Sequence, residues 1–85
     1  QRIVLSAAVV YNLGAHYAVE GRWDDAAGVV RQLIEIDGEA MLAHQLDGIV
    51  LSARGRVDEA VRALERAHRL DPRSPLPLQE MAYVN

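Results

Sequence analysis

Gly21-Arg22-Trp23-Asp24-Asp25-Ala26 returns as Gly55-Arg56-Val57-Asp58-Glu59-Ala60, with glycine, arginine, acid and alanine in the same order 34 residues later. The same offset pairs Gly14 with Gly48 and Asp37 with Asp71. A block that keeps its order over so many positions is a repeat, and a period of this length marks stacked supersecondary units. Within each block the glycine supplies the left-handed backbone that ends a helix. The aspartates Asp24 and Asp58 stand where an N-cap is wanted, and Asp25 and Glu59 add charge that favours a helix start.

Working outward from the turns, apolar residues recur at helical spacing. Ala26, Val30 and Leu33 follow the first turn, broadened by Val29 and Ile36; Ala60, Leu64 and Ala67 follow the second, supported by Val61 and Leu70. Asp71-Pro72 ends the second of these helices, because proline cannot continue it, and Gly38 does so in the first. Ahead of the turns lie Val10, Leu13, Gly14 and Tyr17, matched by His44, Asp47, Gly48 and Leu51. A glycine inside a helix costs about 1 kcal/mol against alanine, which is worthwhile where two helices must approach closely. One more step of 34 puts Leu78, Met81 and Ala82 on the pattern. The spacing predicts helices near 2–20, 24–36, 40–53, 58–70 and 75–84, forming two antiparallel hairpins and the first helix of a third.

Composition narrows the function. The 85 residues are 51% hydrophobic and 25% charged, the profile of a globular domain rather than a disordered or membrane-spanning one. The apolar opening after Arg2 is too short to span a bilayer and overlaps the repeat, so it reads as the start of a buried helix rather than a signal peptide. A net charge of -3 argues against a dedicated nucleic-acid binder. Without cysteine there is neither a disulfide nor a thiolate nucleophile. His16, His44 and His68 fit no metal spacing, the serines lack a nucleophile elbow, and no phosphate-binding loop is present. The expectation is a non-enzyme with no cofactor and no metal. Six arginines fall between Arg54 and Arg73. They read as a solvated outer face on which Asp58–Arg62 and Glu65–Arg69 pair four residues apart, or else as electrostatic matching between stacked copies or to a partner.

The two copies resemble the tetratricopeptide repeat family, whose pattern runs W-x2-L-G-x2-Y, then A-x3-F, then P, on a period of 34. The first copy reads Val10-x2-Leu13-Gly14-x2-Tyr17, Ala26-x3-Val30, Gly38; the second reads His44-x2-Asp47-Gly48-x2-Leu51, Ala60-x3-Leu64, Pro72. The departures are aliphatic residues at the phenylalanine position, Val10 and His44 for tryptophan, and Asp47 for leucine. A carboxylate at that position calls for local compensation, from His44 one turn back or from an arginine. The resemblance implies an all-α fold, antiparallel hairpins stacked as a short right-handed solenoid. Residues 1–85 then form a single domain cut from a longer chain, with repeats at 7–40 and 41–74 and a partial third at 75–85.

It also implies where partners sit. The first helix of each hairpin lines the concave surface, here Ala8, Tyr11, Ala15, Ala18 and Val19, then Leu42, Gln45, Ile49 and Ser52, then Leu76, Gln79 and Tyr83. This lining is apolar, with tyrosines and glutamines for polar contacts, and suits an apolar or amphipathic peptide or helix of another protein. The carboxylate-clamp subclass places cations at Tyr11, Ala15, Ile49, Gln79 and Tyr83; none is basic, so acidic chaperone tails are not the expected ligand. Two alternatives remain open. One is an auxiliary, substrate-recruiting segment of a larger enzyme of glycosyltransferase or sulfotransferase type. The other is a self-assembly element forming homo-oligomers through Leu78, Met81 and Val84. Neither nucleic acid nor membrane is an expected partner, and a cytoplasmic location is favoured.

Overall fold

The computed structural model describes residues 6–36 and 40–84. Five helices follow in order: α1 (Ala7–Val19), α2 (Trp23–Ile36), α3 (Met41–Ala53), α4 (Val57–Leu70) and α5 (Leu76–Val84), with no strand among the described residues. The 34-residue recurrence is therefore a recurrence of helical hairpins. Gly38, expected to stop the second helix, lies outside the described residues, as do positions 1–5.

Both turns close in the same way. Gly21 and Gly55 have φ of 75° and 80°, and they carry the only positive φ values among the described residues. The Gly21 and Arg22 amides donate back to the Ala18 and Tyr17 carbonyls at 3.1 and 2.9 Å. The Gly55 and Arg56 amides donate to Ser52 and Leu51 at 3.0 and 2.9 Å. Each pair is a Schellman closure, which satisfies carbonyls that the helix end leaves orphaned.

Asp24 and Asp58 do not cap. The helices begin one residue earlier, at Trp23 and Val57, and Arg56 precedes α4 with no side-chain cap. The acidic pairs thus occupy the first turn, where they act on the helix dipole. Arg22 secures the first turn further. Its Nε and Nη2 both lie 2.8 Å from Asp25 Oδ2, and its guanidinium sits 4.5 Å from the centre of the Tyr17 ring. α1 starts at Ala7, because Ser6 accepts the Val9 amide at 3.3 Å and caps it. Val9, just inside that start, is exposed.

The mid-helix glycines mark the closest approaches. A Cβ on Gly14 would strike Leu46 and come within 2.8 Å of Val29 Cγ1; one on Gly48 would stand 2.6 Å from Leu64. One cluster of buried residues joins the first hairpin to α3 through Val10, Ala18, Val29, Leu33, Leu46 and Val50. Ala60, Leu64 and Ala67 bury the inner face of α4. α3 packs on all four other helices, whereas neither α1 nor α2 packs on α4 or α5. The result is an elongated body of 45 × 29 × 16 Å, the shape of stacked hairpins.

Candidate interaction face

α1, α3 and α5 are the first helices of their units, and a polar bridge ties them together. Gln45 on α3 donates from Nε2 to the Leu76 carbonyl at 3.3 Å, reaching α5. The Gln45 side chain also interacts with the Tyr11 phenol of α1. Tyr11 is half-buried, and its pKa is raised chiefly by that burial; the Glu80 charge adds to the rise and the Gln45 hydrogen bond offsets part of it. Gln45 is 2% exposed, and its Oε1 is buried without a hydrogen-bond partner. An expected groove-lining residue is therefore covered, as is Ala18.

The rest of the expected lining is graded from half-closed to open. Tyr11, Ala15 and Ile49 pack half-buried against the core, and Leu42 and Ser52 are also half-buried. Ala8 and Gln79 are exposed, Leu76 is just exposed, and Val19 and Tyr83 stand free at 85% and 88%. On α5 the open residues are Leu76, Leu78, Gln79, Ala82 and Tyr83. Met81 and Val84, expected to be exposed with Leu78, are instead half-buried. Ala82 occupies the position of Gly14 and Gly48, yet it is exposed where those two each receive a neighbouring side chain.

A second surface was not anticipated from the sequence. A hollow of about 550 Å³ opens between α3 and α4, lined by His44, Asp47 and Leu51 on one wall and Glu59, Arg62, Ala63, Arg66 and Arg69 on the other. The expected Asp58–Arg62 and Glu65–Arg69 pairs do not form; the ion pair at the start of α4 instead runs three residues, from Arg56 to Glu59 at 3.9 Å. The signal was present in the arginine spacing of four and three, which sets Arg62, Arg66 and Arg69 on one stripe of α4.

Asp47 sits in that hollow with its pKa raised, first by burial and then by Glu59, while the expected neighbour His44 pulls the other way. A carboxyl group whose folded pKa exceeds its unfolded value favours the folded state at low pH, and that stability is lost as pH rises through the folded pKa. Asp47→Asn should therefore stabilise the protein at pH 7. The gain should vanish below the ordinary value of 3.8, as read by thermal melts across pH.

Among the described residues, no group of three or more His, Cys, Asp or Glu side chains could hold a metal ion. No described helix is long and apolar enough to cross a membrane. Among curated proteins the chain finds no match. The tetratricopeptide repeat family model matches residues 48–84, which take in the later part of α3 and the whole of α4 and α5. The stretch 48–84 is thus similar to a tetratricopeptide repeat, and the first hairpin reproduces its glycine turn and its mid-helix glycine contact 34 positions earlier.

Proposed function

We propose that the face formed by α1, α3 and α5 captures an apolar or amphipathic segment of another protein. The observation that carries this reading is the uncharged, half-open strip running from Tyr11 and Ala15 through Leu42 and Ile49 to the exposed Leu76 and Tyr83. Gln45 braces the three helices beneath it by reaching Leu76 on one side and Tyr11 on the other. A face that is already braced spends little binding energy on becoming ordered. Tyrosine at its open end offers a large apolar area with a polar tip, the kind of side chain enriched among interface anchors.

The test is capture of a fluorescein-labelled amphipathic peptide built from leucine, alanine and glutamine. Ile49→Asp and Tyr83→Asp should each weaken capture by about tenfold or more, since an aspartate buried under an apolar ligand has no partner. Tyr83 is almost fully exposed, so its variant should keep the helical circular-dichroism signal of the parent. Undiminished capture by both variants removes the assignment.

A further inference from the structure

We propose that the hollow between α3 and α4 is a separate docking site, and that its occupant is an acidic peptide segment of a partner protein. The site does not depend on the α1–α3–α5 face, with which it shares no lining residue. Arg62, Arg66 and Arg69 form a basic stripe along α4. Arg62 and Arg69 make no ion pair with any described residue, although Asp58 and Glu65 lie one turn away from them. Their guanidinium forks are therefore available, and this group matches a carboxylate with two parallel hydrogen bonds. At 1.5 Å of rise per residue the stripe from Arg62 to Arg69 is about 10 Å long. That length corresponds to about three residues of extended peptide. Leu51 and Ala63 give the hollow an apolar floor for the aliphatic part of such a segment.

Charge selects among anions. Asp47 and Glu59 line the same hollow and would repel a continuous phosphate backbone. A peptide can set its carboxylates on the arginines and its amide N–H groups near the acids. No Phe, Tyr or Trp side chain lines the site, so successive bases would find no stacking platform beyond the single His44 imidazole. The distribution along the chain also favours this end. Residues 7–40 hold Arg22 and Arg31 against Glu20, Asp24, Asp25, Glu35, Asp37 and Glu39, so an acidic partner is repelled there and steered toward α4.

The test uses the full 85-residue chain and a fluorescein-labelled peptide of repeating Glu-Ala-Ala, read by anisotropy at low salt. Saturable binding is expected, and it should weaken by about tenfold or more on moving to high salt, because exposed ion pairs are screened. Arg62→Glu combined with Arg69→Glu should lose about tenfold or more in affinity with helicity unchanged. Arg31→Glu combined with Arg73→Glu changes the net charge equally outside the hollow and should lose far less. Absence of binding by the parent chain overturns the proposal, as does equal loss in the two double variants. Tighter binding of an oligothymidylate or a phosphopeptide of the same length would overturn the choice of carboxylate. Self-association of the chain that Arg62→Glu and Arg69→Glu abolish would make a second copy the occupant and overturn the proposal too. Loss of the acidic peptide on Tyr83→Asp would place it on the other face, with the same consequence.

Discussion

Leu46→Ala should cost about 3–5 kcal/mol, the range for emptying a fully buried leucine site that cannot collapse. Leu46 has no exposed surface and belongs to the cluster that joins the first hairpin to α3. It packs against Gly14, so part of the space it leaves opens onto helix backbone. Backbone relaxes poorly, and the cavity term should persist. An 85-residue domain has a total stability of about 4–13 kcal/mol, so this single change takes a large part of it. Urea unfolding followed by far-ultraviolet circular dichroism should show a much lower midpoint with an unchanged slope. A loss under about 1 kcal/mol would mean that the two units do not rely on this contact.

The second large effect is expected at Gly48. A Cβ there would stand 2.6 Å from both Cγ and Cδ2 of Leu64 and 3.3 Å from the Ala60 carbonyl oxygen. The Leu64 branch point cannot swing aside as a methyl tip can, and the carbonyl belongs to the α4 backbone. Gly48→Val should therefore force α3 and α4 apart and cost about 3 kcal/mol, the upper part of the overpacking range. The better helix propensity of valine returns only a few tenths of that. Gly14 offers a comparison. Its obstacles are Leu46, met at a terminal methyl, and Val29, so Gly14→Ala should be milder than Gly48→Ala. Thermal melts of the three variants read the order directly. A Gly48→Val protein as stable as the parent would contradict the close approach.

The hairpins were legible because their determinants are local. A glycine at positive φ, acids in the next turn and apolar residues at spacings of three and four all act within one turn of sequence. Gly14 and Gly48 also announced themselves, since a mid-helix glycine needs a reason and close packing supplies it. What stayed hidden depends on partners about thirty residues away. Gln45 reads as a groove residue from its register, but its burial requires Tyr11 from one unit and Leu76 from the next. The helix starts shifted by one residue because the glycine turns deliver the chain into α-geometry before the aspartates, leaving these as first-turn charges. Charge pairing on α4 was misjudged for a related reason. Helical spacing makes Asp58–Arg62 and Glu65–Arg69 available, but exposed pairs gain so little that other geometries compete on equal terms. The α3–α4 hollow could not be seen in either helix alone, because its two walls come from opposite sides of the turn.

That α3 alone touches every other helix has a further consequence. Mechanical and thermal disturbances in one half have a single route into the other, through one rod of thirteen residues. Cargo resting on the braced strip and cargo held by the guanidinium stripe would both press on that rod from different sides. Whatever one occupant does to its stiffness or tilt, the other must register in its own affinity, by an equal factor in each direction.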